Sequence, residues 1–542
     1  MLFHWTSTHA AVATAAVHHF VRPLSIGRAA VVFCALFAVL GALKVAYWTF
    51  IYPDYASPYR HLPTPERRTK VLGAYASFLI DRDYDASPRH ALANPQVPFV
   101  RFPGPFGMDS IVPTSTAVMT EILASQVYKF AKPGFVVRSM TAILGNGVIF
   151  AEGEEHRRQR KLVAPALSLA QVRGMVPIMV RHYEHARSII DGSGPPGQTL
   201  SVDVTPLVAR LALDIVGEAS FGVDMHALDD PDNEIVAAYH ALCDPSDMPL
   251  AVALNAFVPG FSKLPVAANR RTARHRQTLH RFCAGVVTAK RAEFARERAE
   301  ADARGSLLEK LKSSPDVLSY FVRDSSYDWT VDEIVEQMLV FLVAGHETTA
   351  TALTWAFLQM CERPDLQARV HAEVREHLPD GMAGLTSLDV LDKLVLVDHL
   401  VLELLRLMPP VVTTPREATV DTVVHGVKIH KGTIVSVNPP QFNRSKELWG
   451  DDADEFNPDR WTDRRPENAY AYMTFLNGHR ICIGKRFAEV ELRVLLAGFL
   501  GRYRLEYSSE NQRLHTVPTD VVITRRPSEN VFVKFTAVDD WA

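Results

Sequence analysis

Phe475-Leu-Asn-Gly-His-Arg-Ile-Cys-Ile-Gly484 is a ten-residue stretch with one cysteine near its end. Gly478 and Gly484 bracket Cys482, and a glycine lets backbone approach a flat ligand without an obstructing Cβ. A thiolate presented from such a loop can ligate iron, with N–H groups of the turn free to donate to the sulfur. The following residues carry apolar side chains at Phe487, Val490, Val494 and Leu495. That spacing is helical, so the cysteine lies just before a helix N-terminus, where the dipole favours a thiolate. A structural zinc site would need four Cys or His ligands in short-spaced pairs. No second cysteine lies within a hundred residues of Cys482, which excludes the paired-cysteine version. The remaining plain reading of a lone cysteine is a small buried hydrophobe.

The full pattern Phe-x-x-Gly-x-Arg-x-Cys-x-Gly is present, and it resembles the haem-binding loop of the cytochrome P450 (haem-thiolate monooxygenase) family. The resemblance is to the membrane-anchored eukaryotic, fungal-like type. It implies haem b as cofactor, with Cys482 as axial ligand to the iron and Phe475, Gly478 and Gly484 shaping the loop around it.

Further motifs follow in the family's order. Phe341-Leu-Val-Ala-Gly-His-Glu-Thr-Thr-Ala350 places a glycine and two threonines inside an apolar helix, where they are poor helix formers. Gly345 removes a side chain where a ligand could approach, and Thr348 can bond back to its own backbone. An acid beside a hydroxyl is what proton delivery needs; a packing notch with a satisfied hydroxyl is the alternative. By resemblance to the oxygen-activation motif, Thr348 and Glu347 are the catalytic pair. Glu403-Leu-Leu-Arg406 sets an acid and a base on one helical face. The family joins them to an arginine downstream, here Arg460 in Phe456-Asn-Pro-Asp-Arg-Trp461, as a structural lock. Gly153-Glu-Glu-His-Arg-Arg-Gln-Arg-Lys161 resembles the Trp-x-x-x-Arg helix, with His156 in the tryptophan's place. Arg160, His156, Arg416 and Arg480 are then the expected donors to the haem propionates, which suit bidentate arginine.

Composition sets the outer bounds. The 542 residues are 47% hydrophobic and 22% charged, enough for a large core, and the net charge of -3 argues against a nucleic-acid binder. Five scattered cysteines, an odd number, make no disulfide framework and suit a reducing compartment. Ala29 to Ile51 is apolar except for Lys44 and is long enough to cross a bilayer, with Tyr47 and Trp48 at its end. A cleaved signal peptide is the competing reading. Arg60, Arg67, Arg68 and Lys70 after the span outweigh Arg22 and Arg28 before it, which places the C-terminal bulk in the cytosol.

The expected organisation is an unassigned segment 1–28, an anchor 29–52, a proline-rich hinge 53–70 and a catalytic domain 71–542. The hinge, with Pro53, Pro58, Pro63 and Pro65, reads as a stiff extended connector. The fold expected is mostly α with minor β, one large haem-thiolate domain behind a transmembrane helix. Val331 to Cys361 reads as the longest helix, opened by a Thr330-x-x-Glu333 capping box and closed before Pro364. Leu394 to Met408 is another helix, and Val427 to Val437 reads as a hairpin turning at Lys431-Gly432. Arg291 to Gly305 reads as a solvated helix face, and Gly192 to Gly197 as a loop.

The family implies insertion of one oxygen atom from O2 into a lipophilic substrate such as a terpenoid, fatty acid or polyketide. Two electrons come from NADPH through a separate NADPH-cytochrome P450 reductase, with cytochrome b5 as a further donor. A secondary-metabolic role and a single-pass endoplasmic reticulum location follow from the same resemblance. Pocket walls would come from Pro133–Gly147, Leu250–Phe261, the long helix, Val411–Thr414 and Thr516–Asp520. A haem-thiolate isomerase or dehydratase, and a non-enzymatic haem-binding membrane protein, are the competing readings.

Overall fold

The computed structural model describes residues 11, 14, 15, 26–66, 69–195, 197–243, 249–258, 260–304, 316–323, 327–463, 466, 468–509, 512–521, 523–538 and 541. Most of segment 1–28, together with Arg22, Arg67, Arg68 and Gly305, lies outside them. The chain divides into two compact units, residues 1–118 with 415–438 and residues 119–414 with 439–542.

The first unit opens with α1, Ile26–Ala46, which passes directly into π-helical turns over Tyr47–Ala56. Together they give one apolar helix from Arg28 to Ala56, 29 residues long, buried only at Thr49 and Pro53 near its end, and long enough to cross a membrane. The stretch after Pro53 is not an extended connector. Pro53 itself is inside the π-helical turns, and Tyr59 and Leu62 are buried in the unit. The Tyr59 hydroxyl sits 2.8 Å from that of Thr433 and accepts the His430 N–H at 2.8 Å. Proline content predicted stiffness, but the two apolar side chains gain more from burial than the segment gains from staying solvated.

A small sheet forms the body of this unit. Phe99–Arg101 pairs antiparallel with Ser110–Pro113, which pairs parallel with Ile434–Val437. The predicted hairpin at Lys431-Gly432 does not exist. Val427–Ile429 pairs instead with Thr422–Val424, and the chain reverses at His425-Gly426. Both turn residues have positive φ, 46° and 77°, as a two-residue hairpin of the favoured hand requires. Ile434–Val437 is thereby released to pair with the N-terminal strands, and all four of its residues are buried.

The second unit is the helical one. Its principal helices are α2 (Gly153–Val163), α3 (Leu169–Gly192), α4 (Val204–Phe221), α5 (Glu234–Cys243) and α6 (Ala267–Arg304). They are followed by α7 (Val331–Cys361), α8 (Val395–Leu407) and α9 (Lys485–Arg502). α7 begins where the capping box placed it, but at 31 residues it is not the longest helix as expected, since α6 runs to 38. The Thr330 hydroxyl accepts the Glu333 N–H at 3.1 Å, and the Glu333 carboxylate accepts the Thr330 N–H at 3.0 Å. From Thr349 to Met360 every residue of α7 is buried, so it runs through the core rather than over it. α9 is buried almost along its whole length and packs on α3 and α7. A three-stranded antiparallel sheet, with Phe532–Ala537 between Leu200–Asp203 and Tyr503–Tyr507, closes the unit's minor β component.

Candidate active site

Cys482 stands three residues before α9, with its N–H donated to the Phe475 carbonyl at 2.8 Å. That bond closes the loop into a ring. Gly478 has φ +70°, and a Cβ there would come within 2.3 Å of the Leu123 carbonyl oxygen, so no other residue fits. The cysteine is accessible at its surface yet enclosed by protein. Burial raises its thiol pKa, and the Gly484 N–H, Arg160 and Lys485 pull it back down. The helix start was expected to favour the thiolate; desolvation of the enclosed sulfur outweighs it.

Arg160 is half-buried on α2, close enough to act electrostatically on both Cys482 and Arg480. Its guanidinium makes no hydrogen bond or ion pair among the described residues, and burial depresses its pKa. Four residues earlier on the same face, His156 is buried with its Nδ1 3.4 Å from the Tyr128 hydroxyl. Arg480 ion-pairs with Glu152 and donates to the Ala151 carbonyl at 3.1 Å, while its buried Nε has no partner among the described residues. Tyr128 lies beneath Arg480 and Arg157, 5.7 and 4.1 Å from ring centre to guanidinium. Arg416 belongs to the first unit, where it is buried and donates to the Pro415 carbonyl at 2.9 Å.

On α7 the Thr348 hydroxyl donates to the Ala344 carbonyl at 2.7 Å, leaving its oxygen lone pairs open. Glu347 accepts from the Thr524 hydroxyl at 2.7 Å. Of the two tasks the sequence left open for Gly345, ligand approach and a packing notch, the contacts show the notch. A Cβ there would stand 2.8 Å from Val216 Cγ2, so the glycine lets α4 and α7 cross closely.

Glu403, Arg406 and Arg460 come together in a buried network. Arg406 makes a bidentate pair with Glu403 at 2.8 Å on each arm and donates to the carbonyls of Asn443, Ala453 and Glu455. Arg460 approaches Glu403 at 3.4 Å and is held by Asp452, while Trp461 Nε1 donates to Glu403 at 3.0 Å. With every lone pair and N–H engaged, this buried charge is compensated, the condition such pairs need.

The residues fit a haem. An accessible thiol enclosed by protein, a loop whose glycine admits no side chain, a half-buried arginine without a partner and an orphaned arginine Nε form an incomplete polar set. An iron porphyrin with two anionic propionates would complete it. A family model for cytochrome P450 matches residues 105–533. The chain belongs to the cytochrome P450 family. It is 32% identical to cytochrome P450 monooxygenase sphH of Aspergillus fumigatus, across 97% of this chain and 99% of the relative. It is 30% identical to cytochrome P450 monooxygenase FSL4 of Gibberella zeae, across 99% of each. Cytochrome P450 monooxygenase FUM15 of Gibberella moniliformis is 28% identical over 85% of both chains. This P450 is therefore a monooxygenase of fungal-like type, and haem with thiolate ligation is the family's cofactor.

Tyr128, Glu152, Thr524 and Val216 carried no motif in the sequence. Two predicted pocket walls do meet: the rings of Phe135 and Phe257 stack at 5.3 Å, and Arg138 donates to the Ala256 carbonyl at 2.9 Å.

Proposed function

We propose that this P450 inserts one atom of O2 into a lipophilic substrate while reducing the other to water. Its two electrons come from NADPH through a separate reductase, with cytochrome b5 as a possible second donor. The observation that carries this reading is Cys482, accessible within an enclosing loop and faced by the partnerless Arg160. A thiolate-held haem supplies, when bound, the activation of O2 and the oxidising power to attack a C–H bond. Cys482 holds the iron, with the Gly484 N–H moderating the charge on sulfur. Arg160 and Arg480 would hold the propionates, with His156 assisting beside Tyr128. Glu152 pairs with both Arg480 and Lys132, so it would orient the Arg480 guanidinium without being its only counter-charge.

Proton supply falls to α7. Thr348 offers a hydroxyl whose donor is committed to Ala344, so its oxygen is oriented to accept. Glu347, positioned by Thr524, brings protons to that side of the site. Gly345 and Val216 fix how near α7 approaches α4. Glu403, Arg406 and Arg460 hold the scaffold and touch no reactant.

We read the apolar helix to Ala56 as a single-pass anchor in the endoplasmic reticulum membrane, with the catalytic domain in the cytosol and a role in secondary metabolism. External protease should then digest the catalytic domain in sealed microsomes. The decisive test of ligation is Cys482→Ala, which should abolish the red-shifted absorption of the reduced carbon-monoxide complex. Retention of that band would remove Cys482 as ligand.

A further inference from the structure

A second cluster of ligating side chains lies away from the haem loop, where α3 and α4 meet the turn after α4. His182 is on α3, Glu218 is in the last turn of α4, and Asp224 follows the left-handed Gly222 that ends that helix. One ligand atom from each, an imidazole nitrogen and two carboxylate oxygens, all lie within 4.8 Å of one another. His182 is only 2% exposed, with Nε2 2.8 Å from a Glu218 oxygen. The other Glu218 oxygen is paired with Arg181. At the rim, His226 Nδ1 stands 3.8 Å from Asp224 and 3.7 Å from Asp229, and His185 reaches Asp229 at 2.9 Å.

The turn is held from below. Asp214, buried on α4, accepts the N–H groups of Ala227 and Leu228 at 2.7 and 2.9 Å, and its charge interacts with His182. The segment bearing Asp224 and His226 is therefore pinned against α4 before any ligand arrives. The charges point the same way. Of Asp214, Glu218, Asp224 and Asp229, only Glu218 pairs with an arginine among the described ion pairs. Two carboxylates brought this close repel one another unless a cation sits between them. Glu218 answers to Arg181 and His182, and the Asp224 carboxylate accepts the His226 N–H at 2.9 Å, which fixes it beside them before any ion arrives.

We propose that His182, Glu218 and Asp224 form a site for one divalent transition-metal ion of the zinc class, with His226 or water in the remaining position. The imidazole selects against magnesium and calcium, which prefer all-oxygen ligands. Ligand bonds of about 2.0–2.2 Å imply ligand-to-ligand separations of roughly 3.3–3.6 Å. The set therefore contracts by about 1 Å on binding, and the His182–Glu218 contact opens slightly. The ion clamps the turn after α4 to α3.

The test uses the full-length, haem-loaded protein without a polyhistidine tag, stripped with chelator and dialysed against about micromolar zinc chloride. Metal content by mass spectrometry should show one more zinc per chain in the wild type than in Asp224→Asn or Glu218→Gln. Zinc titrations should show at least about tenfold weaker binding in each variant, with a millimolar excess of magnesium failing to compete. The haem absorption spectrum, unchanged in both variants, certifies folding; should Asp224→Asn lose it, Glu218→Gln carries the comparison. Equal zinc content in wild type and a folded variant, or displacement of zinc by magnesium, would overturn the proposal.

Discussion

The Glu347 carboxylate accepts its hydrogen bond from Thr524, at 2.7 Å, and not from the adjacent Thr348. Thr524 is itself fully buried and stands 3.1 Å from the Thr351 hydroxyl, one turn further along α7. The carboxylate we propose as the proton carrier is therefore aimed by a residue near the C-terminus. Thr524→Val keeps the shape and removes that aim. Product formed per NADPH consumed should fall, with hydrogen peroxide making up the difference, as for Thr348→Ala but less completely. Peroxide and product measured in one assay decide it; unchanged coupling would leave Thr524 a packing residue.

Gly345 makes an independent claim about packing. Gly345→Ala drives a methyl against Val216 and should cost about 1–3 kcal/mol in denaturant unfolding. Val216→Ala opens the space, so the double variant should recover most of that loss. Additive losses in the double-mutant cycle would place the notch elsewhere.

Glu491, on α9, is fully buried, and neither of its carboxylate oxygens has a hydrogen-bond partner among the described residues. Burial lifts its pKa to about 8, with the Thr349 hydroxyl on α7 pulling slightly the other way. In the unfolded chain the value is about 4.3. The folded protein therefore binds a proton that the unfolded chain has released, and stability declines as pH rises between those values, then levels above the upper one. Glu491→Gln, neutral throughout, should flatten the decline between about pH 5 and 8, an effect on the order of a few kcal/mol. Thermal unfolding of both proteins across that window is the measurement. Parallel curves would mean that Glu491 is already ionised.

The cations around the haem loop are less free than their number suggests. Arg157 pairs with Glu154, Arg158 with Glu155 and Glu333, and Lys485 and Arg486 both with Glu489. Lys161 is exposed and makes no ion pair among the described residues. If an acidic reductase docks on this side, Lys161→Glu should slow haem reduction at low salt by about three- to tenfold. Arg157→Glu, which loses a charge already neutralised, should do less. The gap should close at high salt, because screening acts within ~8 Å at physiological ionic strength. Equal stopped-flow rates for wild type and Lys161→Glu would move the docking surface.

What could be read from the chain depended on how local the cause was. The bounds of α7 were legible because Thr330 and Glu333 cap each other three residues apart and Pro364 follows shortly after. Glu403 and Arg406 were legible for the same reason, one turn apart. The hairpin was misplaced because alternation marks strands without naming their partners, and His425 gave no sign that it would adopt positive φ. Thr524 and Val216 lie 177 and 129 residues from Glu347 and Gly345, the positions they govern. Their part comes from helix crossing and chain closure, which no spacing rule records. Gly345 was noticed for the right anomaly, but the chain alone left ligand access and a packing notch both open, since an absent side chain looks the same whether a ligand or a valine fills the space.

The junction below α1 has a mechanical consequence. Asp109 accepts the Tyr52 hydroxyl at 2.5 Å and the Ser57 hydroxyl at 2.7 Å, and pairs with Arg101 at 3.2 Å. Arg101 in turn donates to the Pro53 carbonyl at 2.8 Å, and Gly107 admits the Trp48 carbonyl where any Cβ would collide with it. These contacts join the helix end to the sheet strands Phe99–Arg101 and Ser110–Pro113 at several points, and a swivel has only one. In a bilayer the helix would act as a lever arm. A change in lipid thickness that tips the helix would turn the sheet through the same angle, making membrane composition a handle on this unit's attitude.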